Sequence, residues 1–181
     1  MTKTLLHKSM LVLLRAKPIN KIAVKEICAS AGINRATFYS HYADAFALMD
    51  EIKRHITQIV MDSVQRPKEI HTLSEFRINL CRMIAQNIMY FEYVCGQYCE
   101  AGFQKQIIGL AREYTFALWK KEYPNAKDED LDILYTYISA GCAAVIVSWV
   151  QEGMRRTPEE LDCFCEKVSR RTLGLFKDII E

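Results

Sequence analysis

The sequence predicts an all-α chain, an N-terminal three-helix helix-turn-helix unit followed by a helical bundle, and three observations carry that expectation. Only seven Gly and four Pro punctuate 181 residues. Long stretches hold neither, which suits long helices rather than the frequent turns of a β-sandwich. Apolar residues recur at three- and four-residue spacings along most of the chain. Half of all residues are apolar, enough to bury a core in one ordinary domain or in a small module joined to a larger one.

The helices follow in order. Across residues 2–17, Leu6, Met10, Leu13 and Leu14 recur at helical spacing, and Lys17-Pro18 ends the run because the residue before Pro avoids the αR region. Residues 24–31 make a short second helix with Val24, Ile27, Cys28 and Ala31 on one face, and Gly32 breaks it where a left-handed residue costs least. Asn34 is a suitable N-cap for a third helix that runs to about His41, with Phe38 and Tyr42 turned inward. Asp44 caps a longer fourth helix, a connector over residues 44–65 carrying Phe46, Leu48, Met49, Ile52, Ile56, Ile59 and Val60 until Arg66-Pro67 stops it. Thr72-Leu73-Ser74-Glu75 is a capping box opening a helix through Leu80, Met83, Ile84 and Ile88. Gly96 and Gly102 then loosen the chain before a helix over residues 104–123. Pro124-Asn125 makes a turn, and Lys127 or Asp128 opens a long helix to Gly153. Thr157-Pro158-Glu159-Glu160 opens the last one, whose stripe is Leu161, Phe164, Cys165, Val168, Thr172, Leu175, Phe176 and Ile179. Two domains are expected, a reading head over residues 1–48 and a second part over 49–181.

Charge is distributed unevenly. Residues 1–48 hold seven Lys and Arg against two acids, a net +5, within a chain of net +2, so the rest carries −3. A basic end attracts polyanions because neutralising phosphates releases condensed counterions. Seven Cys, an odd number without zinc-type spacing, and an N-terminus lacking an apolar signal region favour reduced thiols in the cytoplasm. Residues 133–150 lack any charge, close to the roughly 18 to 20 needed to span a bilayer. Two Tyr, a Thr, two Ser and a Gly dilute that segment, so no membrane partner is expected.

A helix-turn-helix needs two short helices, a tight turn and a second helix whose outer face carries polar, basic or aromatic residues. Residues 26–42 supply all of these. With Ile33 and Phe38 inward, Arg35, Thr37, Tyr39, Ser40 and His41 face or flank solvent, where they can enter a major groove of double-stranded DNA, and Lys25 faces the backbone.

The run Ile22-Ala23-Val24-Lys25-Glu26-Ile27-Cys28-Ala29-Ser30-Ala31-Gly32-Ile33-Asn34-Arg35-Ala36-Thr37-Phe38-Tyr39-Ser40-His41-Tyr42 resembles the N-terminal signature of TetR-family regulators. The resemblance implies that Arg35, Tyr39 and His41 touch bases or phosphates, with Lys25 and Thr37 supporting, and that Asn34 and Ser40 belong to the same DNA-binding surface. Two positions depart from the pattern: Ala23 stands where Thr or Ser commonly caps the second helix, and Ala45 where a phosphate-binding Lys is common. Lys3, Lys17 or Lys21 are the candidates to supply that charge. Residues 49–181 resemble the regulatory part of the family more loosely. Tyr137-Ile138-Ser139-Ala140-Gly141 and Ser148-Trp149-Val150-Gln151-Glu152-Gly153 are similar to a branch that includes dihydroxyacetone kinase regulators.

The long uncharged helix is apolar all round, more than a small single domain buries alone, so a homodimer is expected. Its surface would include Tyr137, Gly141, Ala144, Val145, Ser148 and Trp149, joined by Phe164, Val168 and Leu175 of the last helix in a four-helix bundle. Burial within one subunit is the alternative. The middle helices are rich in Met and aromatic side chains; Tyr98, Phe103, Phe116 and Trp119 are candidate contacts for a small-molecule effector, though such stripes are more often simply core. Cys95 with Cys99, and Cys163 with Cys165, are candidate thiol pairs, against the ordinary reading of buried Cys as a small hydrophobe.

Catalysis has no support, since the chain has no Glu-x-x-His pair, no H-E-x-x-H and no phosphate-cradling Gly loop, and its four His all fall in the first 71 positions. No cofactor, catalytic residue or metal site is expected. The function read from the sequence is a DNA-binding transcriptional regulator, taken as a repressor, that binds a palindromic operator as a homodimer under effector control. The alternative is a helical protein-interaction adaptor that has lost DNA binding, for which Ala45 is the only motive.

Overall fold

The computed structural model describes residues 2–64 and 72–180, with side chains described as far as Phe176. The expected stop at Arg66-Pro67, the connector's last residue Gln65, His71 and the side chain of Ile179 lie outside them. Every regular element among the described residues is helical. These are α1 (Thr2–Leu14), α2 (Val24–Ala31), α3 (Arg35–Tyr39), α4 (Ala45–Val64), α5 (Leu73–Gln86), α6 (Ile88–Val94), α7 (Ala101–Gly109), α8 (Arg112–Glu122), α9 (Asp128–Gln151) and α10 (Pro158–Ile180). The helices fall into two compact units: the chain up to Ile59 together with Asn87–Gln104, and Val60–Gln86 together with the chain from Lys105 onward.

The start signals that the sequence carries are made as hydrogen bonds. Asp44 Oδ1 accepts from the Ala47 amide at 2.8 Å. Thr72 and Glu75 close their box reciprocally at 3.0 and 3.1 Å, and Thr157 and Glu160 theirs at 2.9 and 3.2 Å. Ala23 has no side-chain oxygen, yet α2 keeps half a capping box, because Glu26 Oε2 accepts from the Ala23 amide at 3.0 Å.

Four boundaries differ from the expected ones. The first helix stops at Leu14 rather than Lys17, and Pro18, with φ −69° and ψ 158°, leads into a single 3₁₀ turn over Ile19–Lys21. The third helix closes at Tyr39, short of His41, although the Tyr42 amide still donates to the Phe38 carbonyl at 3.0 Å. Asn87, at φ −118° and ψ 30°, divides the helix expected to run through Ile88 into α5 and α6. The helix expected over residues 104–123 begins earlier, at Ala101, and breaks between Gly109 and Arg112, so Gly102 sits inside a helix instead of loosening the chain.

In the first unit, α1 packs on α2 and α6, and α2 on α3. Leu6, Met10, Ile27, Phe38, Leu48, Met49, Ile52 and Ile56 are essentially solvent-free. A polar cluster crosses this core. Tyr42 Oη donates to Glu51 Oε1 at 3.0 Å, Lys3 Nζ donates to Glu51 at 2.9 Å, and His7 Nδ1 meets the Tyr90 hydroxyl at 3.1 Å. Burial pushes the Glu51 carboxyl up, but the Lys3 and Tyr42 hydrogen bonds outweigh it and hold it below its ordinary range.

In the second unit, α8, α9 and α10 enclose Trp119, Ala126, Leu131, Leu134, Tyr135 and Phe176. Arg77 of α5 reaches α10, where its Nε donates to Asp162 Oδ1 at 2.5 Å and its terminal nitrogen pairs with Glu166. Ser74 donates to the other Asp162 oxygen. Burial acts against the Arg77 charge, but the bonds to Asp162 and Glu166 more than restore it.

Candidate nucleic-acid interface and pairing face

Gly32, at φ +67° and ψ 30°, turns the chain between α2 and α3 in the left-handed region that Gly occupies without a Cβ penalty. The next helix is aimed by its own cap and core. Asn34 Oδ1 accepts from the Thr37 amide at 2.7 Å and from the Thr37 hydroxyl at 2.9 Å. Phe38 is fully buried, tilted 5.8 Å from the Tyr42 ring, which fixes which side of α3 faces out.

That outer side carries Arg35, Ala36, Tyr39 and Ser40, with Tyr39 56% exposed and seated edge-on against Phe38 at 5.5 Å. His41 follows, exposed, and Lys25 is exposed on α2. Among the described residues, no ion pair involves Lys25 or Arg35. The seven predicted residues therefore divide by what they touch. Arg35, Tyr39, His41 and Lys25 are exposed, and none of them enters an ion pair among the described residues. Asn34 and Thr37 are engaged in the cap, and Ser40 Oγ donates to the Thr37 carbonyl at 2.8 Å.

Two features of this surface go beyond the predicted set. Ala36 sits at the centre of the outward face, opposite Phe38, where a small side chain leaves the helix surface low. Phe46, counted with the apolar stripe of the fourth helix, is 54% exposed. A helical projection through Leu48, Met49, Ile52 and Ile56 places it off that stripe, so the sequence held the signal.

Three lysines were candidates to replace the basic residue absent at position 45, which is a buried Ala here. Lys3 is held by Glu51, and Lys17 Nζ bonds Glu26 Oε1 at 2.6 Å. The Lys17 hydrogen bond, helped by the Ala23 amide, holds the Glu26 carboxyl below its ordinary range. Lys21 is exposed with no ion pair among the described residues.

The second unit carries a different surface. Along α9, Leu131, Leu134, Tyr135, Trp149 and Val150 are buried, while Ile133 (71% exposed) and Tyr137 (69%) face out with Ala140, Gly141, Ala144 and Ser148. Val145 is half-buried beside them. Along α10, Leu161, Cys165, Ser169 and Phe176 are buried, while Phe164, Val168 and Leu175 are 50 to 67% exposed. Eight of the nine predicted pairing residues lie on or beside this face. Trp149 lies inside, its indole N–H donating to the Arg156 carbonyl at 2.8 Å. By length and composition α9 also passes as a bilayer-crossing helix, and only 17% of its most apolar window is buried.

The four candidate effector contacts are placed as follows. Tyr98 is half-buried, and Phe103 is buried 6.3 Å from the Tyr93 ring with Lys53 over its face at 5.7 Å. Phe116 packs 6.3 Å from Trp119 and carries the Arg112 guanidinium 4.0 Å above its ring. Trp119 is 1% exposed, and its indole N–H finds no acceptor among the described residues.

Residues 71–169 match a family model described as a transcriptional regulator C-terminal region of the TetR type. No curated protein sequence matches. Solved structures share the fold at low identity. A TetR transcriptional regulator from Streptococcus agalactiae 2603V is 18% identical, with 93% of each chain covered and a TM-score of 0.65. A TetR-family regulator from Syntrophomonas wolfei is 15% identical, with 96% of this chain and 95% of that one covered and a TM-score of 0.68. The dihydroxyacetone kinase operon activator DhaS is 15% identical over 97% of this chain and 98% of its own, at a TM-score of 0.62.

Proposed function

The chain belongs to the TetR family of transcriptional regulators, and from that premise we propose that it binds duplex DNA as a homodimer, reading an inverted-repeat operator through α3. The observation that carries the reading is the outward surface of Arg35, Ala36 and Tyr39, with exposed His41 just beyond, on a rod that Gly32, the Asn34 cap and buried Phe38 hold in one orientation. A guanidinium, a phenol and a small side chain on one exposed side are the groups a major groove accepts, and exposed Lys25 and Lys21 would meet phosphates.

Pairing follows from the exposed apolar faces of α9 and α10. A monomer would leave Ile133, Tyr137, Phe164, Val168 and Leu175 in water together, whereas two copies bury them against each other in an isologous four-helix arrangement. Small residues Ala140, Gly141 and Ala144 let the helices approach closely, and Thr136 and Ser148 make the face a poor lipid surface. Control by an effector is the further element of the proposal. The Trp119 N–H beside Phe116, without an acceptor among the described residues, would donate to an acceptor on a small aromatic-compatible ligand. A ligand that turns a mostly bound regulator into a mostly free one must prefer the second state by about 10⁴-fold, roughly 5.5 kcal/mol.

Arg35→Ala tests the reading directly. If Arg35 makes a bidentate base contact, the substitution is expected to weaken binding to the cognate duplex by about 1 to 3 kcal/mol and to relax preference at one base pair. Fluorescence anisotropy against the duplex and its single-base variants measures both. Unchanged affinity would remove Arg35 from the interface, and no binding of any duplex by the parent protein at low salt would leave the adaptor reading.

A further inference from the structure

A buried histidine lies where α1, α4 and α6 of the first unit meet. His7 of α1 is 7% exposed. Its Nδ1 meets the hydroxyl of Tyr90 on α6 at 3.1 Å, and its Nε2 stands 3.4 Å from Oε1 of Glu51 on α4 without closing a hydrogen bond among the described residues. That same carboxylate oxygen accepts from the Tyr42 hydroxyl at 3.0 Å and from Lys3 Nζ at 3.1 Å, while Glu51 Oε2 takes Lys3 at 2.9 Å. Tyr42 is itself buried just beyond the recognition helix, its amide donating to the Phe38 carbonyl at 3.0 Å and its ring 5.8 Å from that of Phe38. A continuous run of side chains thus leads from α6 through His7 and Glu51 to the buried anchor of α3.

We propose that His7 is a proton-operated switch on the recognition helix, acting through the Glu51 oxygen that it shares with Tyr42. In the neutral ring one nitrogen carries hydrogen and the other accepts. The surroundings fit one tautomer, with Nδ1 accepting from the Tyr90 hydroxyl and the Nε2 hydrogen turned towards Glu51. A further proton goes onto Nδ1 and makes both nitrogens donors, so the Tyr90 hydroxyl must turn its hydrogen elsewhere and a cation faces Glu51 Oε1. Both lone-pair directions of that oxygen are already taken, by Lys3 and by Tyr42. A third donor displaces one of them, and the neutral phenol holds the carboxylate less strongly than either cation. With His7 protonated, α3 keeps the packing of Phe38 but loses the tie that Tyr42 gives it.

Charged and titratable groups surround His7 from every helix packed on α1. On α1 itself Lys3 holds Glu51 and Lys8 is exposed. From α4 come Glu51, exposed Arg54 and the His55 ring, 6.1 Å away. From α6 come Tyr90 and Glu92, the latter paired with Arg15, and from α2 come exposed Lys25 and Glu26, the latter paired with Lys17. Burial draws the His7 ring below the ordinary histidine range; Glu51 pulls it back up, His55 and Lys3 push it down, and burial prevails. Burial raises the Glu51 carboxyl, but the bonds from Lys3 and Tyr42 outweigh it, so Glu51 stays ionised while His7 titrates. The ring is therefore neutral at neutral pH and takes its proton as pH falls below the ordinary histidine range. The tie to Tyr42 is present above that range and lost below it.

Nuclear magnetic resonance of the full-length protein, with histidine rings and tyrosine Cζ carbons labelled, tests the proposal over a titration from about pH 8 to about pH 5. The expected result is one midpoint, below the ordinary histidine range, shared by the His7 ring and the Tyr42 Cζ signal. His7→Gln, neutral at every pH, should leave the Tyr42 signal fixed, whereas His55→Gln should leave His7 and Tyr42 moving together. A Tyr42 signal that stays constant while His7 titrates would overturn the proposal, as would a His7 ring that takes no proton by the acid end. Both are read in the parent protein and need no variant to fold. The consequence for DNA rests on the reading of α3 as the helix that enters the groove. Relative to His7→Gln, the parent should lose about fivefold in duplex affinity at the acid end, the contribution of one hydrogen bond. Exposed His41 is kept by both proteins and cancels in the comparison. Equal affinities at the acid end would overturn the switch, whereas no duplex binding at the alkaline end would strike the reading of α3 itself, with the shared midpoint still deciding the link from His7 to Tyr42.

Discussion

Val168→Glu is expected to convert the protein from dimer to monomer in sedimentation equilibrium. Val168 is half exposed in the single chain and stands between Phe164 and Leu175 on α10. A carboxylate at that position is solvated in the monomer, so the fold is expected to keep its far-ultraviolet circular dichroism. In an isologous interface the substitution enters twice, and each carboxylate must be buried against apolar side chains or neutralised. At about 3 kcal/mol apiece the two cost roughly 6 kcal/mol, on the order of 10⁴-fold in the dimer dissociation constant. Operator affinity should fall with it, because one recognition helix without its twin holds only half a site. A dimer unchanged by Val168→Glu would move the pairing surface elsewhere.

Arg77→Ala is expected to destabilise the protein by about 3 to 5 kcal/mol in urea unfolding. Arg77 lies between α5 and α10 with Asp162, itself 5% exposed, and the substitution leaves that carboxylate buried without its cation. Ser74 still donates to Asp162, which is too little to offset a buried charge. The paired replacement Arg77→Met with Asp162→Leu should recover most of the loss, since removing both partners leaves no orphaned ion. A loss below about 1 kcal/mol for Arg77→Ala would mean that water reaches Asp162 and that the ion pair acts as a surface one.

What could be read from the sequence and what could not follow the range of the interactions involved. The helix-turn-helix is written locally: Gly32 supplies the turn, Asn34 the cap three residues before Thr37, and Phe38 the inward anchor. The same holds for the boxes at Thr72 and Thr157, whose partners lie one helical turn away. The break at Asn87 was not legible, because no Gly or Pro marks it and α6 is set by its packing on α1. Lys3, Lys17 and Lys21 look alike as letters; Glu51 and Glu26, brought near by the fold, separate the first two from the third. Trp149 and Tyr137 stand about 120° apart around α9, so Trp149 falls in register with buried Leu131 and Tyr135, where its indole N–H donates to the Arg156 carbonyl.

Selection of bound sequences from a random double-stranded DNA library by the full-length protein tests the whole account in one measurement. The expected result is enrichment of an inverted repeat whose half-site centres lie about one helical turn apart, roughly 34 to 36 Å, with one dimer per duplex. Recovery of no preferred sequence, or of a lone half-site bound by a single chain, would contradict it.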